Sequence, residues 1–114
     1  MKIILTRDSV CMADDCFAPN KSVMRVKRSV TLESLVLNII DQGYLPTISQ
    51  SESCWFMKID KIHLAVIECT GKDVQYLVNK DQSISNFCRF RFKLDVHFEY
   101  CSDGLNKFVS PMRL

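Results

Sequence analysis

From Phe87 to Tyr100 the chain reads FCRFRFKLDVHFEY, and apolar and charged side chains alternate along almost all of it. A period of two is the signature of an extended strand, because successive side chains leave a strand on opposite faces. Cys88, Phe90, Phe92, Leu94, Val96, Phe98 and Tyr100 point one way. Arg89, Arg91, Lys93, Asp95, His97 and Glu99 point the other. Such a strand buries one face against a second layer and leaves the other wet. An exposed edge on it could pair with another chain.

One segment can supply that second layer. Leu32, Leu35, Val36, Ile39 and Ile40 recur at the spacing of one buried helix face. Thr31 suits the N-cap, and Glu33 in the first turn suits the positive end of the helix. Gly43 supplies the stop, and Pro46 forbids continuation.

The other elements read as strands. Ile3 to Thr6 is the first and Ser22 to Arg28 the second, with the turn signal Pro19-Asn20 between them. Trp55, Met57 and Ile59 share one face of a third. Ile62 to Ile67 is nearly continuous apolar sequence, as in a central strand, and Asp60-Lys61 makes a hairpin between these two. Val74 to Val78 is a further short strand. Residues 1–114 therefore read as a single globular α+β domain. A mixed or antiparallel sheet of about five strands packs on one main helix, in an order that resembles the β-grasp arrangement.

Charge and cysteine usage bound the function. The net charge is +2, too small to announce a nucleic-acid or membrane partner. The opening MKIILTRD has an apolar run of three residues, shorter than an export signal needs, and no window approaches a membrane span. A cytoplasmic location and reduced thiols are expected for the six cysteines.

Catalytic and metal motifs do not assemble. Cys11 and Cys16 are separated by four residues, and the other cysteines stand apart, unlike paired zinc ligands. Gly43, Gly71 and Gly104 suit turns and form no phosphate-cradling loop. His63 lies in an apolar run and reads as a core or edge residue. Cys88 and His97 have opposite parity on the long strand and cannot form a nucleophile–base pair there. No catalytic residue, metal or cofactor is expected, and the chain does not read as an enzyme.

Two features fit binding instead. The stretch RDSVCMADDC, residues 7 to 16, holds Asp8, Asp14 and Asp15 without the oxygen ligands and glycine of a calcium loop. It reads as a turn between strands or as an acidic loop that meets a basic partner. On the long strand, same-face residues lie about 6.6 Å apart. Arg89, Arg91 and Lys93 thus form a basic half, and Asp95, His97 and Glu99 a largely acidic half. That row is either a solvated face neutralised along its length or a docking surface for a partner of matching charge.

The stretches LTRDSVCMADDCFAP (Leu5 to Pro19), GYLPTIS (Gly43 to Ser49) and LAVIE (Leu64 to Glu68) resemble segments of bacterial immunity proteins. Those proteins are encoded beside polymorphic toxins, as in contact-dependent growth inhibition. The resemblance implies a non-catalytic cytoplasmic protein that binds and neutralises one cognate toxin domain. Many such toxins are nucleases with basic clefts, so the acidic loop and the Asp95/Glu99 end are expected to carry the electrostatics. The alternatives are a β-grasp-like interaction module with another partner, or a small RNA-binding protein using Arg25, Lys27 and Arg28 as well. The modest charge argues against nucleic acid.

Overall fold

The structure is a computed structural model, described here over residues 1–8, 21–45, 53–69, 73–88 and 93–101. Six strands and one helix carry the fold. They are β1 (Lys2–Arg7), β2 (Lys21–Arg25), α1 (Leu32–Asp41), β3 (Cys54–Ile59), β4 (Ile62–Glu68), β5 (Val74–Tyr76) and β6 (Lys93–Cys101), with a 3-10 turn at Ile84–Phe87.

The strands form one sheet in the order β2-β1-β6-β3-β4-β5. The first and last strands pair in parallel at its centre, with Lys2 opposite Lys93 and Thr6 opposite His97. The remaining pairs are antiparallel. This is the expected α+β architecture, a mixed sheet on one main helix, with six strands where about five were expected and the expected short strand at Val74 ending at Tyr76.

Helix α1 starts and stops as its residues dictate. The Thr31 hydroxyl accepts from the Ser34 amide at 3.1 Å. The amides of Leu32 and Glu33 donate to the carbonyls of Gln82 and Lys80 at 3.0 Å each. The donors that a helix start leaves without partners are thus bonded. Gly43 has φ 72° and donates to the Ile40 carbonyl, a left-handed exit that a glycine takes without strain.

The helix covers one face of the sheet. Leu32, Leu35, Val36 and Ile39 are fully buried against Ile3 and Leu5 of β1, Trp55 and Met57 of β3, Ile67 of β4, and Val96 and Phe98 of β6. Each side chain so buried contributes roughly 1.5–3 kcal/mol relative to its exposed state. Ile40, expected in the stripe, is only half-buried at its edge.

Several sequence expectations need correction. β2 ends at Arg25, and Arg28 lies in a turn. Phe87 ends the 3-10 turn instead of opening the long strand. Ser83 caps that turn, and the Cys88 amide closes it on the Ser85 carbonyl. Cys88 donates its thiol to the Lys93 carbonyl at 3.1 Å. Arg89, Phe90, Arg91 and Phe92 lie outside the described residues. β6 pairs with β1 from Lys93 to Phe98 and with β3 from His97 to Cys101, so both of its edges are paired at His97 and Phe98. The edge strands are β2 and β5.

Candidate protein-binding face

The sheet face turned away from α1 is built from the polar parity of each strand. β1 contributes Lys2, Ile4 and Thr6, because Ile3, Leu5 and Arg7 go to the buried side. β2 contributes Lys21, Val23 and Arg25, and β6 contributes Lys93, Asp95, His97 and Glu99. β3 adds Cys54, Phe56 and Lys58 through its register with β6.

A β-bulge decides what β4 adds. Met57 pairs with Ala65 but Lys58 pairs with His63, so Leu64 is the extra residue. Beyond a bulge the side-chain parity inverts. His63, which simple alternation would send to the helix side with Ala65, joins the open face beside Lys58.

Thr6, His97, Lys58 and His63 therefore form one row across four strands. The next row holds the acids. Asp8 follows β1, and its amide extends the pairing with β6 by donating to the Phe98 carbonyl at 3.0 Å. Its Oδ1 meets His97 Nε2 at 3.0 Å, and its Oδ2 accepts from the Tyr100 amide at 3.0 Å. His97 Nδ1 meets the Thr6 hydroxyl at 2.8 Å.

Glu99 is held in the same manner. Its Oε2 accepts from Lys58 Nζ at 3.0 Å and its Oε1 from His63 Nε2 at 3.0 Å. The hydrogen bond from His63, assisted by that from Lys58, lowers the Glu99 pKa against an opposing contribution from burial. The His63 and Phe56 rings meet in a T-shaped contact. Phe56 itself sits in a small buried apolar patch on this face with Cys54, Val66 and Cys101.

Thr6, His97 and Asp8 stand in the order hydroxyl, imidazole, carboxylate. That order serves nucleophilic catalysis when the hydroxyl faces a bound carbonyl and donors await its oxyanion. Here the chain lies along the pleated surface, and the second Asp8 oxygen is engaged by a backbone amide. Its visible consequence is mechanical: it fastens the end of β1 to β6.

Five expected site residues come together on this face: Asp8, Lys93, Asp95, His97 and Glu99. Asp14, Asp15, Arg89 and Arg91 lie outside the described residues. The anticipated split into a basic and an acidic half changes in meaning, because the acids are engaged locally. Asp8 and Glu99 hold the contacts above, and Asp95 lies 3.8 Å from Lys93.

Lys2, Thr6, Lys58 and His63 were not singled out as site residues from sequence. Their parity was readable, but their meeting with β6 depends on pairing across the chain. For His63 it also depends on the bulge. Among the described residues no group of three or more histidine, cysteine and acidic side chains is arranged to hold a metal ion. Among them, too, no helix is long and apolar enough to cross a membrane.

Comparison with protein-family models, curated proteins and solved structures finds no match.

Proposed function

We propose that this chain is an immunity protein that binds and neutralises a cognate toxin domain in the cytoplasm, acting by occlusion and not by catalysis. The observation that carries the binding part is the β2–β1–β6 part of the sheet face turned away from α1, where Lys21, Val23, Arg25, Lys93 and Asp95 are exposed. The centre of that face is stiffened by the Thr6–His97–Asp8 and Lys58–Glu99–His63 contacts, while Val23 remains 49% exposed toward the β2 edge. A rigid surface that mixes apolar and charged groups loses little conformational entropy on docking. The toxin-domain partner is supported by the sequence resemblance, whose Leu5–Arg7 portion forms the end of β1 and whose Leu64–Glu68 portion lies in β4.

An interface of this type would bury roughly 1,600 Å². The test is to co-express the chain with the toxin domain encoded beside its gene. The reading requires a one-to-one complex by gel filtration and restored growth of the host. Separate elution together with undiminished toxicity would overturn it. The β-grasp strand order alone favours a second reading, an interaction module for a different protein.

A further inference from the structure

Asp8 and Glu99 are engaged on the open face, but some of its cations are not. Arg25, Lys2 and Lys93 are consecutive partners across β2, β1 and β6, so three positive side chains stand side by side in one row. Directly opposed like charges destabilise a sheet. Among the described residues neither Lys2 nor Arg25 has a carboxylate within ion-pair distance. Asp95 reaches only Lys93, at 3.8 Å, with both side chains at least half exposed, so it offsets little. The Met1 ammonium adds a further charge at the same corner, donating to the Val26 carbonyl at 2.7 Å. Lys21 stands exposed on β2, and the apolar Val23 and Ile4 form a pair between it and the basic row.

We infer that this corner of the sheet is the docking site for an acidic surface of the protein partner, an inference that rests on the toxin-binding reading above. The charge left unmatched at this corner is positive, so the complementary surface is negative. For a nuclease partner this assigns the contact to a region away from a basic catalytic cleft. The sequence-based expectation that acids carry the electrostatics is thereby reversed for this face.

A protein fits the corner better than a nucleic acid. Val23 and Ile4 supply an apolar centre inside a charged rim, which is the anatomy of a protein interface. Among the described residues no aromatic side chain stands at this corner for bases to stack on. The net charge of +2 is small for a nucleic-acid binder.

The experiment measures association of the neighbouring toxin domain with the wild-type chain, with Lys2→Glu/Arg25→Glu, and with Lys61→Glu as a charge control at the β3–β4 turn. In the double variant the carboxylate at position 2 stands beside Lys93, while the one at position 25 faces it as the two cations face each other in the wild type, so it should melt close to wild type, and thermal melts check this. Steering by the row predicts an association rate about tenfold lower in the double variant and a weaker dependence on salt. Lys61→Glu should match the wild type. Reversing an acidic residue of the toxin domain should restore the double variant.

If wild type and double variant bind alike, this inference is overturned and the immunity reading stands. If the wild type fails to bind the toxin domain, both fall. A parallel titration uses a single-stranded RNA oligonucleotide. Steeply salt-dependent binding that is lost in the double variant would overturn the inference in favour of a phosphate partner.

Discussion

Asp8 and His97, 89 residues apart in the chain, meet at 3.0 Å where the end of β1 lies against β6. The same carboxylate accepts the Tyr100 amide, so a single acid holds both a side chain and the backbone of the neighbouring strand. The sheet centre depends on this point, because β1 and β6 are its parallel pair, and parallel pairing is slightly weaker per residue than antiparallel.

Asp8→Ala should therefore destabilise the fold by about 1–2 kcal/mol, the loss expected when a charged acceptor leaves a backbone donor unmatched. Asp8→Asn keeps an acceptor oxygen and should cost less. Urea unfolding of the three proteins checks the order. Equal midpoints for Asp8→Ala and wild type would show that the fastening contributes nothing.

Glu99 sets an acid limb in the stability profile. Its carboxyl pKa is lowered in the fold by the hydrogen bond from His63 and then that from Lys58, against desolvation. A group with a depressed folded pKa stabilises the fold above its unfolded value and loses that contribution as pH falls through the folded value. The loss therefore begins near the ordinary glutamate value of 4.5 and grows below it. The side chain is 37% exposed, so solvent screening keeps the effect under about 1 kcal/mol. Unfolding at stepped pH should show a gentler acid decline for Glu99→Gln than for wild type. Parallel profiles would remove Glu99 from the account.

The elements that could be read in the sequence are those whose causes are local. Thr31, the Leu32/Leu35/Val36/Ile39 stripe and Gly43 define α1 through capping, periodicity and a left-handed exit, all within a dozen residues. Asp60 makes the β3–β4 turn at φ 56°, which an aspartate tolerates. The polar parity of Lys93, Asp95, His97 and Glu99 was equally visible. What could not be read depends on distant partners. The β6 neighbours Thr6 and Lys58 are fixed by strand pairing, and the placement of His63 is fixed by the bulge at Leu64. Phe87 failed for a different reason. Alternation ran through it, but Ser83 caps a 3-10 turn that withdraws it from the strand.

Trp55 is fully buried, and its ring meets Tyr100 edge-on at a centroid distance of 5.4 Å. Its indole N–H is also buried and has no hydrogen-bond partner among the described residues. Trp55→Ala should cost about 3–5 kcal/mol through lost burial and a cavity. Trp55→Phe keeps most of the packing and removes the unmatched donor, so its cost should be well under half of that. Denaturant midpoints followed by circular dichroism test the ratio. A phenylalanine variant as unstable as the alanine variant would mean that the indole N–H is bonded.

Gly43 is a test of backbone conformation without side-chain crowding. A Cβ built there meets nothing within 4 Å, yet φ is +72°. Gly43→Ala should destabilise by about 1–2 kcal/mol through the left-handed conformation alone. Gly43→Asn should cost less, because asparagine enters that region more readily. If alanine and asparagine prove equally costly, the penalty arises from something other than φ.

The thiols report which parts of the sheet open first. Cys54 and Cys101 are register partners on β3 and β6, both buried in the apolar patch of the open face. Burial, reinforced by Cys101, pushes the Cys54 thiol up to about 12, so it holds almost no thiolate near neutral pH. Alkylation proceeds through the thiolate. Iodoacetamide at about pH 8 should therefore modify the half-buried Cys88 before Cys54 or Cys69. Cys54 should become reactive only when β3 and β6 separate. Peptide mapping along a urea series checks this, and its Cys54 curve should follow global unfolding by circular dichroism. Labelling of Cys54 well below the unfolding midpoint would reveal local opening of β3 from β6, and the open face could not then be a rigid docking surface.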